Sequence, residues 1–193
     1  LGYTPPESAA ELANMDVAQA ILSREYGERL AACAREAGVT VRAHMVVDTG
    51  MSRIGFMYQD PERDACAIDE IAELCQLKGL DPEGIFTHFA VADEGNDGRG
   101  YTLMQLDHFL KLIDRLAQRG ITFRLRHCSN SAAVLDYSDA QLDMVRPGII
   151  LYGLNPSSAV KEPLDLRPAM QLKSIVSMLK TVEPQTSISY GRR

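Results

Sequence analysis

VAQAILS at 17–23, REYGERLAACAREA at 24–37 and VTVRAHMVV at 39–47 are three consecutive runs whose reading decides the fold class. The first and third are short and mostly apolar, as strands buried on both faces are. Between them Tyr26, Leu30, Cys33, Ala34 and Ala37 recur at helical spacing, and Gly38 stands where a helix stops. Downstream the phrase repeats. Residues 64–77 carry the helical period through Ala65, Ile68, Ala72 and Cys75, with Gly79 as the stop, and GIFTHFAV at 84–91 reads as a strand. Residues 101–119 predict a long helix striped by Leu106, Phe109, Leu110, Ile113, Leu116 and Ala117 and ended by Gly120. A strand at 121–127, a helical turn at 131–135 and a last apolar strand at 144–154 complete the series, with 94–100 left as a polar loop.

Strands alternating with helices at a spacing of about 25 to 40 residues make βαβ units, hence an α/β fold on a parallel sheet. The notable polar residues gather where strands end: 48–53, His88, 127–131 and 146–149. A (β/α)8 TIM-type barrel places its site on that face, whereas an open doubly wound sheet fits the same alternation. A full barrel takes roughly 250 residues, so residues 1–155 predict the latter part of one. After Pro156 the helical period disappears, Pro163, Pro168 and Pro184 punctuate the chain, and 170–182 alternates imperfectly. Residues 156–193 are therefore expected to be a linker and the first strands of a C-terminal β domain. The chain opens at Leu1 in mid-phrase and stops at Arg193 without a closing element, so both ends read as cut.

Composition narrows the function classes. The 193 residues are 46% hydrophobic and 24% charged with a net charge of −6, which suits a soluble globular protein and disfavours nucleic acid or an anionic membrane as partner. There is no apolar run near the roughly 20 residues a membrane span needs, and the first residues show no basic stretch followed by an apolar one. Cys33, Cys66, Cys75 and Cys128 form no CxxC pair. Reduced cytosolic thiols are expected, and no metal site.

Four segments are candidates for chemistry. DTGMSRIGF at 48–56 makes a tight turn that presents an Asp and an Arg beside the sheet end, or a plain surface turn with a charge pair. His88 lies in an apolar strand, where a lone histidine is more often a satisfied core residue than a catalyst. HCSNSAA at 127–133 joins a strand to a helix, and its small polar side chains suit either a phosphate or an N-cap by Asn130 or Ser131. RPGI at 146–149 breaks a strand at an arginine and a glycine, by a bulge or by a ligand's close approach.

Taken in order, VDTGMSRIGF, IFTHFAVADE, HCSNSAAVLD, MVRPGIILYGL, LRPAMQLKSIV and ISYG resemble the alanine racemase family, from Leu1 to Gly191. The resemblance implies a homodimer of barrel-plus-β-domain subunits that use pyridoxal 5'-phosphate (PLP). It implies a two-base interconversion of L- and D-alanine in the cytoplasm, supplying D-alanine for peptidoglycan. A racemase of the same fold acting on serine or a basic amino acid remains an alternative, as does a PLP-carrier barrel without racemase activity. By similarity Arg146 donates to the pyridine nitrogen. An arginine stays protonated and hands that nitrogen no proton, which favours return of the proton to Cα over transamination. His127 braces Arg146, and His88 links Arg146 to the catalytic tyrosine. Asn130, Ser131, Gly148 and Ile149 hold the phosphate, while Arg53 reaches the PLP hydroxyl and the substrate carboxylate. Tyr190, in SYG, is the second acid–base group and acts on the partner subunit's site. Two departures stand out. Lys78, Lys111, Lys161, Lys173 and Lys180 match none of the family's cofactor-lysine motif, so the 193 residues alone are expected to be inactive. Val46 stands where many relatives carry a charged modified lysine, so Arg53 is expected to find another anion or a nearby carboxylate.

Overall fold

The computed structural model describes residues 2–161 and 163–190; Leu1, Gly191 of the SYG motif and the expected cut at 191–193 lie outside it. A short helix α1 (Ala9–Asn14) precedes β1 (Gln19–Ile21), α2 (Arg24–Glu36) and β2 (Val41–Asp48). There follow β3 (Phe56–Met57), α3 (Cys66–Leu74), β4 (Leu80–Phe86), α4 (Gly95–Gln118), β5 (Leu125–His127) and α5 (Ser131–Asp136). Every strand pair is parallel, and the main order is β1-β2-β4-β5 with β3 joined to the end of β2. Along that main order each strand lies beside the one before it, without the reversal that defines a doubly wound sheet. The sheet is an arc of a barrel.

Apolar spacing builds the helical layer. Tyr26, Leu30, Ala31 and Ala34 of α2, Ile68, Ile71 and Leu74 of α3, and Phe109, Leu112 and Leu116 of α4 are all buried in one core with Val41, Met45 and Ile85 of the sheet. Ser23 caps α2 by accepting from the Tyr26 amide at 3.2 Å. Such a core stabilises by roughly 1.5–3 kcal/mol per fully buried large side chain.

Three boundaries and two whole strands differ from expectation. β4 begins at Leu80 and ends at Phe86, so His88 lies past the strand, on the following loop. α4 begins at Gly95, inside the stretch expected to be a polar loop. Its Gly98 lies so close to the Val91 carbonyl that a Cβ there would collide with it. The strand expected at 121–127 is paired only over Leu125–His127. The strand expected at 144–154 does not form: Arg146 N bonds to Ser129 O at 2.9 Å, Pro147 has no donor, and Ile149–Tyr152 closes into a 3-10 turn. The run 170–182 likewise forms no strand; no partner strand lies beside it among the described residues, and Leu172, Ile175 and Leu179 are exposed. No helix of the described residues is long and apolar enough to cross a membrane.

Candidate active site

The strand ends converge on Arg146. Its Nη1 meets His127 Nδ1 at 2.5 Å, and its Nη2 donates to the Thr87 carbonyl at 2.8 Å and lies 3.3 Å from His88 Nδ1. The guanidinium lies over the Phe86 ring, 5.0 Å from its centroid, and the His127 ring stacks on Phe86 with centroids 4.8 Å apart. Arg146 Nε is buried and bonded to nothing among the described residues. Burial lowers the Arg146 pKa to about 10, which still leaves it charged at neutral pH. Both of its histidine neighbours are kept neutral. Burial first, then the Arg146 charge, lowers His127 to about 3 and His88 to about 4; Arg53 adds a smaller push on His88.

The 127–131 and 146–149 segments meet as expected. Ser131 Oγ accepts from the Gly148 amide at 2.8 Å, and Ser131, Asn130 and Ile149 line one cavity of about 340 Å³ with His88 and Met51. Asn130 is also the N-cap of α5, its Oδ1 accepting from Ala133 N at 3.0 Å, so its side-chain oxygen is engaged. A second cavity, of about 320 Å³, is lined by Arg146, His127, His44, Phe86 and Gln19.

The 48–56 turn is shaped differently from a charge pair. Asp48 Oδ1 accepts from the amides of Gly50 at 3.0 Å and Ser52 at 2.9 Å, closing the turn on itself. Arg53 is exposed, lines a pocket with His88 and Val46, and bonds to no carboxylate of the described residues. The nearby carboxylate expected to compensate for Val46 is therefore missing, because Asp48 is spent on backbone amides and Val46 itself is buried. Tyr190 is fully exposed and lines neither cavity. None of the five lysines lines them either. Among the described residues no cluster of His, Cys, Asp and Glu suits a metal ion.

Several residues of the site escaped sequence reasoning. Gln105 of α4 braces the His88 loop, donating to His88 O at 3.2 Å and accepting from Ala90 N at 2.9 Å. Thr49 and Thr87 hydroxyls meet at 2.7 Å beneath it. His44 adjoins His127 within the sheet, and Glu83 adjoins His44. His44 carried the same signal as His88, a histidine in an apolar strand.

The residues present fit the expected cofactor. The orphaned Arg146 Nε–H offers a donor to a ring nitrogen, and the Ser131 hydroxyl with the Gly148 backbone offers a cradle for a phosphate. Comparison with known proteins points the same way. The family profile described as alanine racemase, N-terminal domain, matches residues 1–156. The alanine racemase of Desulforamulus reducens is 45% identical over 192 residues, covering 99% of this chain and 50% of that protein. Alanine racemase from Clostridium difficile 630 superposes with a TM-score of 0.83 at 41% identity, over 100% of this chain and 49% of its own. Histidine racemase from Leuconostoc mesenteroides subsp. sake superposes with a TM-score of 0.71 at 28% identity, over 100% of this chain and 50% of its own. The chain thus spans about half the length of the relatives it matches.

Proposed function

The chain belongs to the alanine racemase family, and from that premise we propose that it contributes the ring-nitrogen and phosphate half of a PLP site that racemises L- and D-alanine. The observation that carries this reading is Arg146, with two nitrogens engaged by His127, Thr87 and His88 and the third buried without a partner. Bound PLP supplies an electron sink for the pair left on Cα when the substrate loses its proton. Arg146 Nε donates to the ring nitrogen without surrendering its proton. His127 and His88 hold the guanidinium over the Phe86 ring. The Ser131 hydroxyl and the Ile149 amide take the phosphate, the Gly148 N–H orients that hydroxyl by donating to Ser131 Oγ, and Asn130 fixes the α5 turn that carries Ser131. Arg53, exposed and without an ion-pair partner, is available to a substrate carboxylate.

The remaining parts belong to the same proposal. The active form is a cytoplasmic homodimer in which Tyr190 serves the partner subunit's site and supplies D-alanine for peptidoglycan. Residues 156–193 are the linker and opening strands of a β domain, whose edges need a pairing partner that 170–182 does not find in the barrel arc. The likeness to a histidine racemase keeps a basic amino acid as the rival substrate, with serine beside it. A PLP carrier without racemase activity has no use for the Leu166-to-Gly191 stretch of the sequence. The test is circular dichroism of full-length protein with PLP and each enantiomer of alanine, serine and histidine. Convergence of L- and D-alanine to the same signal is expected. Turnover of another amino acid alone redirects the substrate, and turnover of none sinks the racemase reading.

A further inference from the structure

The polar contacts behind Arg146 do not stop at His127. His127 Nε2 lies 2.9 Å from His44 Nδ1, and His44 Nε2 lies 3.3 Å from Glu83 Oε2. Glu83, almost fully buried, also accepts from Arg42 Nη1 at 3.3 Å and from Arg124. Only one proton arrangement satisfies every link. A guanidinium only donates and a carboxylate only accepts. His127 therefore accepts at Nδ1 and donates from Nε2, and His44 does the same. A second proton on either imidazole would set two donors against each other. Burial, followed by the surrounding arginine charges, lowers the pKa of both rings and keeps them neutral.

The backbone is shaped around this chain. The β2–β4 register pairs Ala43 with Pro82 and His44 with Gly84, so Glu83 is the extra residue of a β-bulge. Bulges re-aim a side chain beside a site; here the carboxylate is delivered to His44. Gly84, opposite His44, leaves the space the imidazole fills, since a Cβ there would come within 2.5 Å of His44 Nδ1. Two separate departures from ordinary strand sequence thus serve one histidine.

We propose that His44 and Glu83 are positioning residues, and that the one-way chain from Arg146 through His127 and His44 to Glu83 holds the Arg146 guanidinium with Nε–H as its free donor. This rests on the reading of Arg146 as the ring-nitrogen partner. The chain locks the rotation and tautomer of His127 from one end while Arg146 locks it from the other. Without His44, the His127 Nε2–H has no acceptor, and the ring is free to turn away from Arg146.

The test compares His44→Leu with His44→Gln in the full-length protein. Leucine roughly keeps the volume; glutamine keeps the polarity, accepting from His127 on its oxygen and donating to Glu83 from its nitrogen. PLP affinity is read by titration of apoprotein, the His127 Nε2–H by proton NMR of ¹⁵N-histidine-labelled apoprotein, and alanine turnover as separate kcat and KM. His44→Leu is expected to lose the slowly exchanging Nε2–H signal and to weaken PLP binding and kcat about 10- to 100-fold, the scale on which outer hydrogen-bond partners act. KM for alanine should change little, and His44→Gln should recover most of each loss at a similar melting temperature. If His44→Leu does not fold, His44→Asn, too short to bridge both partners, takes its place with the same expectation. Equal PLP affinity in the native, leucine and glutamine proteins would overturn the proposal, as would a glutamine variant no better than leucine. Loss of PLP affinity in His44→Leu and its recovery in His44→Gln, with no alanine turnover even in the native protein, supports the positioning chain and removes the racemase reading.

Discussion

At the scale of single residues, the site is governed by which donors are already taken. Arg146 spends Nη1 on His127 and Nη2 on Thr87 and His88, which leaves Nε–H. A guanidinium in that place keeps its own proton, whereas a carboxyl group would share one with a ring nitrogen. In the full-length protein, Arg146→Glu should lower racemisation by 100-fold or more, within the range of about 10²- to 10⁴-fold for placed acid–base groups. The slow side reaction, half-transamination of alanine, should rise relative to racemisation, read as pyruvate formed per turnover. An unchanged ratio would remove Arg146 from the ring-nitrogen role. Tyr190 makes the complementary prediction. Racemisation needs a base on each face of the substrate's Cα, and a phenol with an ordinary pKa of about 10 must be tuned to serve as one. Tyr190→Phe should slow solvent-deuterium exchange from one alanine enantiomer far more than from the other. Equal slowing would make Tyr190 a scaffold residue, despite its full exposure in this chain.

Among the elements, α4 shows where local pattern and packing part company. Its apolar stripe from Leu106 to Leu116 was legible, because burial follows the 3.6-residue period. The first six residues were not, because Gly95, Asn96, Asp97, Gly98, Arg99 and Gly100 have the composition of a loop. They are helical because Gly98 can lie against the Val91 carbonyl, and Thr102 Oγ1 bonds back to Gly98 O at 2.9 Å. This start aims α4 so that Gln105 reaches the His88 loop. Gly98→Ala should therefore destabilise the protein by about 1–3 kcal/mol, the cost of overpacking. At Gly100 of the same helix an added Cβ meets nothing within 4 Å, so Gly100→Ala should stabilise by up to about 1 kcal/mol through helix propensity. Urea denaturation of the two variants separates these signs, and stabilisation by both would show that Gly98 is not sterically required.

For the whole molecule, the buried neutral histidines tie stability to pH. His127 at about 3 and His88 at about 4 both sit below the ordinary value near 6.5. The unfolded chain binds more protons than the folded one between those limits. Their contribution is thus complete above about pH 6.5 and is lost as pH falls toward 3. Asp64, lowered to about 2 chiefly by its Arg63 hydrogen bond, loses its contribution as pH falls from the ordinary carboxylate value near 4 toward 2, so above about pH 4.5 the histidines act without it. The urea midpoint should fall between pH 6.5 and 4.5, and His127→Gln should flatten that fall; an equal slope would mean that His127 is protonated in the folded state. A second expectation covers the 193 residues taken alone. Incubation with PLP, borohydride trapping and peptide mapping should label none of the five lysines stoichiometrically, since none lines either cavity. One stoichiometric label with turnover would overturn it. The sequence by itself determined the α/β alternation, the family and the place of His88, His127 and Ser131 at or just beyond strand ends, because burial period and short-range spacing are local properties. Only the tertiary structure decided the arc-like strand order and the loss of the strand at 144–154. It alone brought His44 and Glu83 behind Arg146, because a bulge between β2 and β4 and the space above Gly84 exist only once distant strands pair.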